Sequence, residues 1–188
     1  MAVVPTAAGP DDDAEPGEPT VLTYHAYAAR LLREHGLRIG VEPDSWLLAD
    51  ATRYQLAARV IRRARGPFRE LTSPVSYLVG DLLALDAELA EHLVELDTLR
   101  EHDRALLAGL AAHPQPSRPV LDAMAAARKR LELTDLVQAY RAEKRARAVT
   151  DFGEQMYDAA RLAEARPEVG RTERDRFRVV MLDEYQDT

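Results

Sequence analysis

The carboxyl end of the chain carries the residues best suited to chemistry, two adjacent acids that follow an apolar run. The run, residues 177–182 (FRVVML), has the length and β-branched content of a buried strand of a parallel sheet. Asp183 and Glu184 follow directly. A carboxylate at a strand end can hold Mg²⁺ bound to nucleotide phosphates, and a second can orient or deprotonate the attacking water. Solvated acids at an ordinary strand end would give the same pattern.

Another element lies near residue 21, where a short β-type run passes directly into a helix. Val21, Leu22 and Thr23 form the run. Apolar positions from Tyr24 onward recur at helical spacing as far as Gly36, which stands where a C-terminal cap belongs. The sequence therefore predicts a strand followed at once by a helix over residues 21–36.

Between residues 37 and 166 nearly every periodic segment predicts a helix, so the middle of the chain is expected to be an all-α bundle. The segments 119–131 and 133–147 predict two helices, and one helix that continues through Leu133 is the alternative. Trp46, the single tryptophan, is assigned to packing within the bundle. The predicted helix starts are Asp44 or Ser45, Ser73 before Pro74, Asp97, and Thr150.

The composition limits the class of protein. The chain has no cysteine, which excludes disulfides and thiolate metal sites. Its apolar runs are too short to cross a bilayer and none resembles a signal peptide, so we expect a cytoplasmic protein. Residues 1–20 are rich in Pro and Gly and carry five acids and no base, which predicts a disordered acidic linker.

The charge is unevenly distributed along the chain. The net charge of −7 argues against nucleic-acid binding over the whole surface. Residues 81–103 carry eight acids against one base, whereas residues 128–147 carry seven bases against three acids. We expect two solvated helix faces of opposite sign that can pair with each other. A DNA track along the basic segment is the alternative.

Three stretches, in the correct order, resemble motifs of the UvrD/Rep/PcrA-type superfamily 1 DNA helicases. Residues 177–188 (FRVVMLDEYQDT) resemble the Walker B motif of these proteins, an apolar strand followed by DExQDT. Residues 21–29 (VLTYHAYAA) are similar to their strand–turn–helix motif. Residues 150–156 (TDFGEQM) are similar to the segment that precedes Walker B. Asp151 in this segment is expected to have a structural role near the helix dipole.

The resemblance implies an architecture. In this family a helical 1B subdomain is inserted in a P-loop (RecA-like) α/β motor domain, 1A. The chain would be mainly α, with one short strand of the motor domain at each end. Residues 21–36 would belong to domain 1A, residues 37–166 to the 1B-like subdomain, and residues 167–188 would return to domain 1A. Several stretches, among them TYHAYAARLLREHG and RAEKRARAVTDFGEQM, also resemble the AdnB subunit of AdnAB-type helicase–nucleases.

The resemblance also implies roles for individual residues. Asp183 would hold Mg²⁺ through water, and Glu184 would activate the water that attacks ATP. Gln186 and Asp187 would couple the γ-phosphate state to neighbouring parts of the motor. Three further residues would lie near the path of single-stranded DNA, where a hydroxyl can contact phosphate and an aromatic ring can stack on a base; these are Thr23, Tyr24 and His25. His25 is equally compatible with packing, and Tyr27 is assigned to the core.

The phosphate-binding sequence G-x-x-x-x-G-K-[ST] is absent from these 188 residues. Together with the resemblance, this absence predicts a fragment of a DNA helicase, cut naturally or by a truncated gene model. The resemblance alone implies 3′–5′ movement and a role in DNA repair or double-strand break processing. The fragment alone is expected to be inactive, because two carboxylates do not suffice for phosphoryl transfer. The implied partners are ATP, Mg²⁺, DNA, the remaining helicase domains and a second helicase–nuclease subunit. The alternative is a stand-alone all-helical interaction module whose last residues form an acidic tail.

Overall fold

The computed structural model describes residues 2–5, 19–113 and 115–184, and it is mainly helical, as the sequence predicted. The chain divides into two compact units, one formed by residues 1–44 and 155–188 and the other, the helical unit, by residues 45–154. The elements in chain order are β1 (Ala2–Pro5), β2 (Thr20–Val21), α1 (Tyr24–His35), a 3₁₀ helix (Gly36–Ile39), β3 (Trp46–Leu47), α2 (Asp50–Arg63), α3 (Val75–Glu91), α4 (Leu96–Ala111), α5 (Arg118–Ala146), β4 (Val149–Thr150), α6 (Phe152–Ala165), α7 (Pro167–Arg176) and β5 (Phe177–Met181).

The helical unit is built around α5, a single helix of 29 residues that continues through Leu133, as the sequence allowed. Its inner face contributes Leu136, Val137 and Tyr140, which are almost fully buried. Apolar residues of α2 and α3 pack against this face, so that the three helices share one core. Residues of α2 such as Leu56 and Val60 recur at helical spacing, which explains why this core was visible in the sequence.

The start of α2 differs from the prediction. The helix begins at Asp50 and not at Asp44 or Ser45, because the preceding residues form β3. Trp46 and Leu48 donate their backbone N–H groups to the carbonyl oxygens of Ala148 and Thr150, each at 2.8 Å, in a parallel pairing with β4. Trp46 is 79 % exposed and so does not pack in the bundle, which corrects its predicted role.

Three predicted helix caps are also wrong. Ser73 and Asp97 each miss the observed N-cap, which falls on Pro74 for α3 and on Glu95 for α4. Asp97 instead lies in the first turn of α4, where a negative charge interacts favourably with the helix dipole. Thr150 belongs to β4, and the cap of α6 is the carboxylate of Asp151, which accepts from the Glu154 N–H at 2.9 Å.

The other unit has its own small core, formed by residues of α1, α6 and α7 such as Leu31, Leu162 and Val169. The α1 helix ends near Gly36 as predicted, but Gly36 keeps a right-handed conformation and the chain continues as a 3₁₀ helix. The left-handed residue is Gly40, with φ of 75°. The α6 helix ends at Ala165, and Pro167 then begins α7, because proline is well tolerated in a first turn.

The strand β5 forms where the sequence predicted it, but it is neither parallel nor buried. It pairs antiparallel with β1, which also pairs with β2. Val179, Val180 and Met181 are each more than half exposed, because among the described residues no helix covers either face of the strand beyond Phe177. Residues Ala2–Pro5 were assigned to the disordered linker, and here they supply this strand partner. The linker residues 6–18 lie outside the described part of the chain.

Candidate functional site

The start of α1 and the end of β5 lie next to each other. The Tyr24 hydroxyl donates to the backbone carbonyl oxygen of Asp183 at 3.3 Å, across 159 residues of sequence. The Thr23 hydroxyl oxygen accepts from the Ala26 N–H at 3.1 Å and caps α1. His25 follows on the exposed side of the helix start. Two stretches singled out in the sequence thus meet at one place in the fold.

The acidic pair makes a tight turn immediately after β5. The Asp183 carboxylate accepts from the Glu184 N–H at 3.0 Å, and Glu184 has φ of 53°, a left-handed conformation that non-glycine residues adopt at some energetic cost. Both residues are exposed. Gln186 and Asp187 lie outside the described residues, so their predicted coupling role stays a prediction.

The carboxylate of Glu173 binds side chains near this site, on α1 and at the end of α7. Glu173 of α7 accepts from the Tyr27 hydroxyl at 2.9 Å and from Arg30 at 2.5 Å, and it also pairs with Arg176 at 3.3 Å. The Arg30 guanidinium lies over the ring of Phe177, the first residue of β5, at 4.9 Å. Burial, together with the hydrogen bond to Glu173, raises the pKa of Tyr27 to about 12.

Tyr27 therefore packs against the small core, as predicted, and also has a polar partner that the sequence did not indicate. Only the i, i+3 spacing of Tyr27 and Arg30 could have suggested a shared partner. Glu173 is 143 residues from Arg30, so nothing in the local sequence identified it as that partner.

The helical unit contains a buried ionic cluster centred on Lys144. Its ammonium group lies 2.9 Å from Asp151, 3.0 Å from Glu154 and 3.3 Å from Asp86, and Asp86 is also paired with Arg141 at 2.6 Å. Burial lowers the pKa of Lys144, but the three carboxylates together raise it by a larger amount, so the net shift is upward. Asp151 is thus a structural residue, which agrees with the sequence analysis.

The oppositely charged helices pair with each other. Five of the seven bases in residues 128–147 form ion pairs with acids, four of them with acids on other elements and Arg147 with Glu143 on α5 itself. Lys129 reaches Asp81 of α3 at 2.6 Å, and Arg130 forms a two-pronged pair with the fully buried Asp103 of α4. The pairing predicted from charge is confirmed. The alternative, a DNA track along this segment, stays a prediction, although five of the seven bases already have a carboxylate partner.

Comparison with known proteins identifies the family of the chain. The family model of the UvrD/REP helicase N-terminal domain matches residues 12–188, and the chain belongs to this family. The chain is also 33 % identical over 95 residues to one subunit of an ATP-dependent helicase/nuclease from Streptococcus sanguinis (strain SK36). That similarity covers 50 % of this chain and only 7 % of the streptococcal protein. Among the described residues, no helix is both long and apolar enough to span a membrane.

Proposed function

We propose that this chain is part of an ATP-dependent DNA helicase and carries the acidic strand end of its ATP site. The family match over residues 12–188 is the observation that supports this most strongly. The contact between Tyr24 and the backbone of Asp183 adds to it, because it joins the two motif-bearing segments. In this proposal the helical unit is the 1B-like subdomain, and the other unit is the part of motor domain 1A that precedes and follows it.

The acidic pair fits the chemistry of Mg²⁺ and ATP. Mg²⁺ prefers oxygen ligands and keeps several waters, so the exposed Asp183 carboxylate suits a water-mediated contact. When bound, the ion would neutralise charge that develops on the phosphates. Glu184 would orient or deprotonate the attacking water. Gln186 and Asp187 would follow as the coupling residues.

Thr23, Tyr24 and His25 would line the path of single-stranded DNA. The Thr23 oxygen is used as a helix cap, but its hydroxyl proton can still be donated to a phosphate. Tyr24 is half-buried and donates its own proton to Asp183, so its ring face is the part left to stack on a base. The same hydrogen bond would connect the DNA path to the acidic pair.

The finer features of the proposal rest on the resemblance described above. They are 3′–5′ movement, a role in DNA repair or double-strand break processing, a partner subunit of the AdnAB type and a cytoplasmic location. The similarity to the streptococcal helicase/nuclease supports the broader helicase–nuclease relationship.

The genomic DNA on both sides of this reading frame is the first test. A phosphate-loop sequence upstream and further helicase motifs downstream would support the motor. The protein encoded by the joined frame would then be compared with its Glu184→Gln variant. Loss of a catalytic base or water-orienting group typically costs a factor of about 10²–10⁴, so we expect the DNA-stimulated ATPase rate to fall by at least about 100-fold with ATP binding retained.

Glu164→Gln is the matched control, since Glu164 is an exposed acid on α6. Unrelated sequence on both sides, or an ATPase rate that Glu184→Gln leaves unchanged, would reject the motor. The competing function is an interaction module. It is favoured by one observation, the exposed apolar side chains of β5, which a partner protein could cover.

A further inference from the structure

The strongest unneutralised positive surface of the described chain lies on α2 and the loop that follows it. Residues 59–69 contain five arginines and no acid, in a chain whose net charge is −7. All five are exposed, and among the described residues none has a carboxylate within ion-pair distance. We call this set the arginine patch; its members are Arg59, Arg62, Arg63, Arg65 and Arg69.

The helix places three of these side chains on one face. Arg59, Arg62 and Arg63 are spaced i, i+3 and i+4, which are neighbouring positions on a helix surface. Leu56, Ala57 and Val60 of the same helix are buried in the core, so the position of the basic face is fixed. The positive charge of this face also acts on Glu143 near the end of α5. The pKa of Glu143 is lowered first by its hydrogen bond to Arg147 and further by the charges of Arg63 and Arg59.

Contacts with α5 and with the core hold the loop that follows α2 in place. The Glu132 carboxylate of α5 accepts from the backbone N–H groups of Arg69, Glu70 and Leu71 at 2.8, 2.9 and 3.1 Å. Phe68 packs against the core of the helical unit. Gly66 allows the turn, because a Cβ at this position would lie 2.6 Å from the Phe68 backbone nitrogen.

The side chains of this loop have two roles, because some face the core and others face solvent. Phe68 and Leu71 point toward the core and anchor the loop, while Arg65 and Arg69 remain in solvent. A loop held by three hydrogen bonds and an aromatic anchor loses little conformational entropy when its arginines bind a ligand. Such an arrangement suits a repeated anion better than a single small ion, because the five charges are spread over a helix face and a loop.

We infer that the arginine patch contacts the phosphate backbone of nucleic acid. Guanidinium groups form two-pronged hydrogen bonds with phosphate oxygens, and contacts of this kind position a nucleic acid without reading its sequence. The basic segment of α5 is less suited to this role, because five of its seven bases are paired with carboxylates. The inference rests on the proposed helicase function and assigns its DNA contact within the helical unit to α2 and its loop.

The test compares two double variants that change the net charge equally. Arg62→Gln with Arg65→Gln removes two members of the patch. Arg104→Gln with Arg128→Gln removes two exposed arginines elsewhere in the helical unit. Binding of the 188-residue chain to a fluorescein-labelled thymidine 30-mer and to a labelled duplex would be followed by fluorescence anisotropy between 25 and 200 mM salt, with circular dichroism to verify folding.

We expect the patch variant to bind at least about tenfold more weakly than the unmodified chain at about 0.1 M salt. Its dependence of log K on log salt should be shallower by about 1.4 for the single strand and about 1.8 for the duplex, which corresponds to two lost phosphate contacts. The Arg104/Arg128 variant should stay within about twofold of the unmodified chain.

Equal losses in both variants would show that only the overall charge matters and would overturn the inference. So would an unmodified chain that does not bind either oligonucleotide, or a preference of the patch for an acidic peptide such as polyglutamate over DNA. These outcomes leave the flanking-sequence and ATPase measurements untouched, so failure of the arginine patch can be distinguished from failure of the helicase proposal.

Discussion

At the scale of single residues, Lys144 shows how a buried charge is tolerated. Its side chain is 1 % exposed, and it is surrounded by three carboxylates and lies 4.8 Å from the ring of Tyr140. Removing a buried ion from water costs several kcal/mol, and only well-placed opposite charges offset this cost. Lys144 therefore links α5 to α3 and to the start of α6, and it has almost no solvent-accessible surface with which to contact a ligand.

Lys144→Met should destabilise the helical unit strongly. The substitution keeps a long apolar side chain but leaves Asp151 and Glu154 without their main counter-charge. Breaking a buried pair from one side typically costs about 3–5 kcal/mol, and we expect a loss of that size in the free energy of unfolding measured with urea.

Lys129→Met is the matched control, since this lysine also lies on α5 and pairs with an aspartate of α3. Both partners of that pair are more than a third exposed, so its loss should cost less than about 1 kcal/mol. Equal costs for the two variants would mean that burial does not set the strength of the Lys144 cluster.

At the scale of elements, the connection between α2 and α3 is held in place by hydrogen bonds to a side chain of α5. Residues 64–74 contain no regular secondary structure, yet three consecutive backbone N–H groups converge on Glu132. The carboxylate does for these N–H groups what a helix cap does for a helix end. The sequence marks this segment only as a Gly-Pro turn, because its partner is more than 60 residues away.

Glu132→Ala should loosen this loop. The loss of an acceptor leaves up to three N–H groups without their protein partner, and we expect a destabilisation of about 1–3 kcal/mol. Hydrogen exchange at Arg69, Glu70 and Leu71 should accelerate more than exchange in α3. Asp122→Ala, at an exposed ion pair on the same helix, is the control and should leave both quantities unchanged. Slow exchange in the Glu132 variant would show that the core contacts of Phe68 suffice to hold the loop.

At the scale of the whole molecule, charge is organised by pairing between helices. Three acids of the segment 81–103 pair with four bases of the segment 128–147, through the contacts of α3 and α4 with α5. A run of five exposed arginines without an acid remains on α2 and its loop, and the sequence analysis did not single it out. The net charge of the chain argues against binding an anion, whereas the local charge of α2 and its loop favours it.

The pH dependence of stability should reflect the ionised cluster in the helical unit. Burial raises the pKa of Asp151. Lys144, the Glu154 N–H and Arg53 together lower it by a larger amount, so its pKa in the folded protein lies below the usual 3.8. A carboxyl group with a depressed folded-state pKa stabilises the protein above its unfolded pKa. That contribution is complete above about pH 4 and is lost as the pH falls through the lower folded-state value.

Asp151→Asn should therefore flatten the acid limb of the stability curve. The amide oxygen can still cap α6, while the charge next to Lys144 is lost. We expect the unmodified chain to lose unfolding free energy below about pH 4 and the variant to lose less over the same range, measured by urea denaturation at a series of pH values. Asp122→Asn should keep the slope of the unmodified chain. Identical slopes for all three proteins would show that Asp151 does not bind its proton more weakly in the folded state.

Much of the architecture could be predicted from the sequence, because helices and strands are recorded in local periodicity. The spacing of apolar residues indicated α1, α2, α3 and the helical character of the α5 region, and the run before Asp183 indicated β5. Helix starts were less predictable. Ser73, Asp97 and Thr150 are suitable caps by type, but other residues cap the observed helices. Thr150, for example, is paired with Leu47 in the sheet of β3 and β4, and Asp151 caps α6 instead.

The sequence by itself determined the helical character of the chain, the acidic pair after an apolar strand and the motif order that the family match supports. Only the tertiary structure decided which charges are neutralised, because Lys129 and Asp81 are separated by 48 residues, and Arg30 and Glu173 by 143. It also decided that β5 pairs antiparallel with β1 and that Tyr24 lies beside Asp183. Periodicity reflects the conformation of neighbouring residues, whereas ion pairs, strand partners and exposed charge depend on distances in space that only the folded chain fixes.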